Sequence, residues 1–114
     1  MSEPVSRKNA ERYEWGKGCE GWHLVRGEEL SVIEECMTPG CLEQRHFHTR
    51  ARQFFYVLAG ELTIELDGVC HSLTALEGLE IPPGVPHQVT NRSPEDVRFL
   101  VISQFPTHSD RQPA

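Results

Sequence analysis

The sequence of 114 residues lacks the features that would place it in a membrane or export it. No apolar run approaches the ~20 residues that a helix needs to cross a bilayer. Residues 1–9 are polar and contain no apolar stretch of the kind that a secretory signal requires. We therefore expect a cytoplasmic protein that makes no contact with a membrane.

The chain also lacks a basic stripe. Its 17 acidic residues outnumber its 11 lysines and arginines, and the formal net charge is -6. A protein that binds nucleic acid needs clustered positive charge to neutralise phosphates, so nucleic acid is not an expected partner. A local exception is formed by Arg45, Arg50 and Arg52, which could recognise a carboxylate or phosphate or could form a solvated rim that balances nearby acids.

No CxxC motif is present among the four cysteines, which are Cys19, Cys36, Cys41 and Cys70. In a cytosolic chain they are expected to be free thiols, and disulfides remain the alternative for an exported protein. The chain has no internal repeat and no pattern that favours a helix. What it contains is eight or nine short segments with strand character, separated by turn signals, and this predicts an all-β sandwich or barrel.

The length favours a single domain with one hydrophobic core. We assign residues 1–14 to a polar N-terminal arm or edge strand, residues 15–106 to the barrel, and residues 107–114 to a polar, frayed tail. Within the barrel, residues 61–66 alternate between polar and apolar side chains with period two. Asp67 and Gly68 follow, and this dipeptide is a strong hairpin signal that pairs Leu66 with Val69 and Ile64 with His71.

Histidines at two separate places in the sequence are candidate metal ligands. His46 and His48 are two residues apart, so in a strand both project from the same face. If that face is the barrel interior, two buried imidazoles need a partner, and a metal ion satisfies both. Gln53 could supply an oxygen to the same point, and His87 follows a rigid Pro-Pro-Gly turn. Neutral imidazoles bind divalent zinc, iron, nickel, copper and, more weakly, manganese.

Two motifs in the chain resemble the signatures of the cupins. They are Gly40-x5-His46-x-His48-x4-Gln53-x6-Gly60 and Pro82-x-Gly84-x2-His87-x3-Asn91. The resemblance implies a double-stranded β-helix of the jelly-roll type, with one metal ion bound by the three motif histidines. The chain departs from the family pattern at two positions. Gln53 replaces the usual glutamate, and Leu76 stands where the second signature begins with glycine, with Gly78 two residues later.

A glutamine in place of the glutamate changes the expected chemistry. With Gln53 all protein ligands are neutral, so a divalent metal keeps its full charge, acts as a stronger Lewis acid and prefers anionic ligands. Because an amide is a weaker donor, the metal could also be held by the three histidines alone. The cofactor we expect is one divalent transition metal (Mn, Fe, Ni or Zn) with Gln53 as a candidate fourth ligand.

The pattern is similar to small single-domain cupins that act on sugars. It implies a metal-dependent isomerase or lyase for a small oxygenated anion, such as a sugar acid or sugar phosphate. Two alternatives stay open: an iron dioxygenase that uses the same histidines, and a barrel that binds or senses a small molecule without catalysis. Family members also form pairs through N-terminal strands and sheet faces, which implies a homodimer.

The group that would move a proton is not evident from the motifs. The hairpin register places His71 on the predicted inner face, which makes it a candidate acid or base, and Tyr56 is a second candidate. Each could instead serve packing. His23 and His108 are expected at the surface, while Trp15 and Trp22 could lie at a barrel mouth, in a dimer contact or in the core.

Overall fold

Two antiparallel β-sheets stack against each other in the computed structural model, which describes residues 2–107 and 110–114. Eleven strands and no helix are found in these residues. The described part of the chain therefore contains no helix that is long and apolar enough to cross a membrane. The strands are β1 (Glu11–Trp15), β2 (Cys19–Arg26), β3 (Leu30–Met37), β4 (His46–His48), β5 (Arg52–Ala59), β6 (Leu62–Leu66), β7 (Val69–Leu73), β8 (Gly78–Ile81), β9 (His87–Thr90), β10 (Val97–Gln104) and β11 (Arg111–Pro113). The all-β prediction is confirmed.

The strand order explains how distant motifs meet. One sheet has six strands in the order β1-β2-β3-β10-β5-β8, and the other has five in the order β11-β4-β9-β6-β7. Alternating side chains of each strand enter the space between the sheets, as the pattern of buried and exposed residues along β10 shows. The core therefore contains apolar residues of both sheets: Met37, Phe55, Val57, Leu62, Ile64, Ile81, Val89, Val97, Phe99 and Val101.

The hairpin formed by β6 and β7 has the predicted register. Asp67 and Gly68 both have positive φ, at 49° and 88°, as a two-residue turn of the mirror-image type requires. Leu66 pairs with Val69, and Ile64 pairs with His71. Local sequence therefore suffices to predict this pairing.

Both ends of the chain take part in the sheets. β1 lies at the edge of the six-stranded sheet, and β11 pairs with β4, where Arg111 lies opposite His48. The prediction of a frayed tail is therefore wrong for Arg111–Pro113. The three-residue strand β4 would otherwise leave backbone groups unpaired at a sheet edge, and β11 satisfies them. His108, predicted at the surface, lies outside the described residues.

Leu76 occupies a backbone position suited to glycine. It lies in the turn between β7 and β8 with φ of 69°, and 71% of the residue is exposed. An L-residue in this left-handed region is strained by roughly 1–2 kcal/mol. This explains why a glycine at this place in the family signature is favourable, and why leucine is tolerated without altering the sheets.

We expect Leu76→Gly to stabilise the protein by about 1 kcal/mol, because glycine adopts positive φ without strain and little apolar burial is lost. The melting temperature should rise by roughly 4 °C, measured by thermal unfolding followed with circular dichroism. Leu76→Ala is the matched control, since it shortens the side chain but keeps the Cβ atom. Equal stability of the glycine and alanine variants would contradict this explanation.

Candidate metal centre

Three histidines from two neighbouring strands converge between the sheets. His46 and His48 lie on β4, and His87 opens β9, where it pairs directly with His46. One ring nitrogen of each histidine lies within 4.8 Å of the others, and all three residues are buried. Three convergent imidazoles are a common ligand set for a divalent transition metal, so the cluster could hold one such ion.

Backbone carbonyls orient two of the three rings. Nδ1 of His46 lies 2.7 Å from the carbonyl oxygen of Gln44, and Nδ1 of His87 lies 3.0 Å from that of Val85. A carbonyl can only accept, so each Nδ1 carries the proton and donates it. The proton-free Nε2 then presents a lone pair to the cluster, which is the tautomer that a metal needs.

The electrostatic environment keeps the three rings neutral. Burial is the main cause that lowers the pKa of His46 and His48 to about 4, and burial also lowers the pKa of His87. The positive charge of Arg111 acts in the same direction on all three. Since a histidine must be neutral to bind a metal, the cluster is in its ligand form at neutral pH.

Gln53 lies beside the histidines with its oxygen unpaired. Its Nε2 donates a hydrogen bond to Ser103 Oγ at 3.2 Å, while the buried Oε1 has no hydrogen-bond partner in the described protein. This orientation leaves the atom that could coordinate a cation free. The orientation of the Gln53 amide is therefore compatible with its predicted role as a fourth ligand, and it is equally compatible with a metal held by the three histidines alone.

A cavity of about 480 Å³ opens beside this cluster. That volume is within the range of small-molecule sites. Several buried polar atoms in its wall find no partner in the described protein, namely Trp15 Nε1, Glu43 Oε1, His48 Nδ1 and Gln53 Oε1. Because buried polar groups without partners are unfavourable, these atoms suit a polar ligand that supplies both donors and acceptors.

Two acidic side chains, Glu35 and Glu43, also line this cavity. Burial raises the pKa of Glu43 to about 8 and that of Glu35 to about 7, and Arg111 partly opposes both shifts. Tyr13 donates a hydrogen bond from its hydroxyl to Glu35 Oε2 at 2.5 Å. The cavity thus combines possible metal ligands, carboxyl groups that titrate near neutral pH and one guanidinium group.

Sequence reasoning missed these cavity residues. A signal existed for Glu35, which lies two residues from both Ile33 and Met37 along β3 and therefore shares their inward face. An acid on this apolar face is unusual. No comparable signal existed for Tyr13 and Arg111, because Tyr13 lies in the segment assigned to a polar arm or edge strand and Arg111 lies in the segment assigned to a polar tail. Only the pairing of β1 and β11 with the sheets brings them to the cavity.

Asp110 anchors the loop between His48 and Gln53. Its carboxylate accepts hydrogen bonds from the backbone nitrogens of Thr49 at 3.1 Å, Arg50 at 3.0 Å and Ala51 at 2.8 Å. Burial alone would raise the pKa of Asp110, but these bonds and one from the Thr49 hydroxyl lower it to about 2. A carboxylate that stays ionised in this way holds the two flanking candidate ligands in a defined geometry.

Neither predicted proton-moving residue lines the cavity. His71 does share a face with Ile64, but it lies on β7, the far edge of the five-stranded sheet, with β9 and β6 between it and β4. Tyr56 follows the buried Phe55 on β5 and stacks on Phe54, so its ring belongs to the outer side of its sheet. The strand order, which local patterns do not reveal, separates both from the histidine cluster.

The arginines near the histidines also point away from the cavity. Arg45 pairs with Glu65 at 2.6 Å, Arg52 pairs with Glu80 at 2.5 Å, and the Arg50 guanidinium lies 3.8 Å from the centre of a phenylalanine ring. These contacts agree with the alternative of a solvated rim. Trp15 lines the cavity, whereas Trp22 is buried outside it.

Comparison with known proteins agrees with this geometry. The model of the cupin domain family matches residues 33–103, a range that includes all three histidines. The chain is 33% identical over 93 residues to the H2HPP isomerase of Bacillus subtilis, covering 81% of this chain and 39% of that protein. It is 36% identical over 64 residues to the polyketide synthase CurC of Streptomyces cyaneus, covering 56% of this chain and 42% of that protein.

Among solved structures, an RmlC-like cupin from Shewanella frigidimarina superposes with a TM-score of 0.83 at 23% identity, covering 96% of each chain. At this identity the likeness concerns the fold, and it confirms the predicted double-stranded β-helix. The chain spans about two fifths of the length of the two curated relatives.

Proposed function

The chain belongs to the cupin domain family, and we propose that it is a metal-dependent enzyme of isomerase or lyase type. Its substrate would be a small oxygenated anion with a carbonyl group, such as a sugar acid or a sugar phosphate. The observation that carries this proposal is a cluster of three buried, neutral histidines, two of which line a cavity that also contains carboxyl groups. The likeness to an isomerase over most of this chain supports it.

The cavity suits chemistry in which a proton moves next to a carbonyl group. A divalent metal held by His46, His48 and His87 would polarise the carbonyl or hydroxyl oxygen of a substrate. Backbone acceptors fix the rings of His46 and His87, and Asp110 holds the segment after His48, so the ligands are positioned before substrate binds. Carboxyl groups whose pKa lies near neutrality are then available to accept and return a proton.

An anionic substrate fits the charge of the site. The candidate ligands are neutral, so the full charge of a divalent ion would remain, and Arg111 adds a positive charge to the cavity wall. The Arg111 guanidinium is held in place by a hydrogen bond from Nη2 to the carbonyl oxygen of Gln44 at 3.2 Å. Both features favour a carboxylate or phosphate group on the ligand.

Gln53→Glu should reverse this preference for anions. The added negative charge is expected to tighten metal binding and to weaken binding of D-glucuronate or fructose 6-phosphate by at least about tenfold, equivalent to ~1.4 kcal/mol. Isothermal titration calorimetry on the metal-loaded protein measures both changes. Gln104→Glu, the same change on an exposed residue, is the control and should leave both affinities unaltered.

The direct test is turnover by the metal-loaded protein. Proton NMR in D2O would follow both product formation and loss of the C–H signals next to the carbonyl of fructose 6-phosphate and D-glucuronate. We expect exchange that depends on metal and disappears in His48→Ala. Turnover that persists without metal would contradict the proposal, and saturable binding without any exchange or product would favour a binding barrel instead.

The three-histidine set also supports a second candidate, an iron-dependent dioxygenase. Three protein ligands leave positions around an iron ion for both a substrate and oxygen. Oxygen consumption that requires Fe(II) and an enolic, thiol or diketone substrate would identify this activity. If no such substrate causes oxygen uptake by the Fe(II)-loaded protein, the second candidate is rejected.

We further propose that the protein forms a homodimer through the outer face of the six-stranded sheet. An apolar row crosses this face through Phe54, Ile102, Val32 and Val25, which pair in that order on four adjacent strands. Phe54 and Val25 are 38% and 41% exposed, and a second copy would cover them. Size-exclusion chromatography with light scattering should show a dimer, and a monomer at micromolar concentration would reject it.

A further inference from the structure

We propose that Glu35, held in position by Tyr13, is the group that accepts and returns the substrate proton beside the candidate metal centre. This inference rests on the proposed function, since it names the proton-moving residue of the same site. Neither residue belongs to the motifs that identify the family, and both lie on strands of the six-stranded sheet.

Tyr13, Gly21 and Glu35 form one row across three neighbouring strands. Tyr13 of β1 pairs with Gly21 of β2, and Gly21 pairs with Glu35 of β3. The Tyr13 side chain crosses the middle strand and its hydroxyl donates to Glu35 Oε2 at 2.5 Å. A hydrogen bond to one carboxylate oxygen orients the group and leaves Oε1 for a substrate.

The glycine in the middle of this row makes the contact possible. A Cβ atom at position 21 would lie 2.2 Å from Tyr13 Cζ and 2.4 Å from the tyrosine oxygen, which is far closer than atoms can approach. The tyrosine ring therefore lies directly over the Gly21 backbone. Any larger residue at position 21 would displace the ring and break the hydrogen bond to Glu35.

The surroundings of Glu35 suit proton transfer. Glu35 and Tyr13 line the same cavity as His46, His48 and Gln53. Glu35 points to the inner face, where its β10 partner is the buried Phe99, and burial raises the pKa of the carboxyl group to about 7. A carboxyl group with a pKa near the working pH can both take up and release a proton efficiently.

Among the described residues, two other charged groups face this cavity. Arg111 lowers the pKa of Glu35, and its positive charge would favour the ionised base. Glu43 is the other carboxyl group. Its Oε1 lies 3.9 Å from Nδ1 of His46, so Glu43 lies directly beside a candidate ligand. Glu35 has no such contact with the histidines among its hydrogen bonds and ion pairs in the described residues, which leaves its carboxyl group available to a substrate.

The reaction step conserves atoms and electrons without any further reactant. Glu35 Oε1 accepts the proton from the carbon next to the substrate carbonyl. The C–H electron pair becomes a carbon–carbon double bond, and the carbonyl electron pair moves to its oxygen. In an isomerisation, Glu35 then returns the proton to the former carbonyl carbon. The hydroxyl proton of the neighbouring carbon moves to the first oxygen, and the new carbonyl group forms at that neighbouring carbon.

One test does not depend on activity. Glutamate labelled with 13C at the carboxyl carbon would be titrated by NMR in the metal-free protein, and Glu35→Gln would assign the Glu35 signal. We expect a midpoint near pH 7. Tyr13→Phe and Gly21→Ala should both raise the midpoint, because each removes the hydrogen bond that favours the ionised form. A midpoint near the ordinary glutamate value of about 4.3 would overturn the inference.

The second test measures exchange of the C–H protons of fructose 6-phosphate and D-glucuronate in D2O. Glu35→Gln should lower the exchange rate at least about 100-fold while metal content and melting temperature stay unchanged. Tyr13→Phe should shift the acidic limb of the pH–rate profile to higher pH. Glu34→Gln is the matched control, because Glu34 is the neighbouring residue on β3, pairs with Arg98 at 3.1 Å and does not line the cavity.

The outcomes separate this inference from the proposed function. If the wild type exchanges a probe and Glu35→Gln does so equally fast, the inference fails and the proposed function stands. If the metal-loaded wild type exchanges no C–H protons of either probe, the proposed function is rejected, and the role of Glu35 that rests on it is rejected as well. A large loss in Glu35→Gln with none in Glu34→Gln supports both.

Discussion

Replacing His87 by alanine is expected to remove the metal ion from the protein. His87 is fully buried and supplies one of the three ring nitrogens that lie within 4.8 Å of one another. Loss of a residue that only supports a metal ligand lowers affinity by about 10- to 100-fold, so loss of a ligand itself should lower it by more than about 100-fold. Elemental mass spectrometry on protein purified without a histidine tag measures the result.

The wild type should contain about one transition metal ion per chain, and His46→Ala and His48→Ala should lose it as His87→Ala does. His71→Ala is the matched control, since this histidine lies outside the cavity on β7, at the far edge of the same five-stranded sheet. It should retain the metal. Wild-type protein that binds no metal even after reconstitution would contradict the prediction. A barrel that binds a small molecule without catalysis would then be the favoured function.

Replacing Asn91 by alanine should be the most destabilising single change outside the apolar core. Asn91 is fully buried, and its Nδ2 donates to the carbonyl oxygens of Met37 at 2.9 Å and Glu95 at 2.8 Å. Its Oδ1 accepts from the backbone nitrogen and the hydroxyl of Ser93 at 2.9 and 2.8 Å. These bonds join the end of β3 to the turn that follows β9.

The alanine variant loses all four bonds and leaves the Met37 carbonyl without its side-chain partner. We expect a loss of about 3 kcal/mol in the free energy of unfolding, which is a large share of the 5–15 kcal/mol typical of a domain. The melting temperature should fall by roughly 10 °C. Chemical denaturation followed by tryptophan fluorescence gives the free energy directly.

Asn9→Ala provides the comparison at the surface. Asn9 also uses both ends of its amide, accepting from the Ser6 nitrogen and donating to the Pro4 carbonyl, but these bonds are exposed to water. Its loss should lower the free energy of unfolding by less than about 1 kcal/mol, because water replaces the lost partners. Similar losses at the two positions would show that the Asn91 bonds do not hold the fold together.

Much of the architecture was predictable from local patterns. Period-two alternation predicted the core strands, and Asp67-Gly68 predicted the hairpin register. The family motifs predicted three further features, namely the turn before His87, the buried histidine pair on β4, and the turn position that is glycine in the family and Leu76 here. Each of these features depends on residues close together in the sequence, where steric rules operate directly.

The complete cavity was not predictable in this way. Tyr13 and Arg111 come from opposite ends of the chain. Each is brought to the cavity by a strand whose sequence shows no alternation of polar and apolar residues. His71 has the expected register and face, yet two strands separate its own strand from β4. A hairpin register says which residue is opposite, but it does not say where that hairpin lies in its sheet.

The histidine spacing, the neutral glutamine among the candidate ligands and the turn chemistry follow from the order of residues, because these properties depend on side-chain type and short-range geometry. Which acids and bases share the cavity depends on strand order across two sheets, set by burial of the whole apolar face at once. That long-range pairing places Tyr13 over Gly21 and against Glu35. Tyr13 therefore becomes part of the candidate site, although the sequence marks its segment only as a polar arm or edge strand.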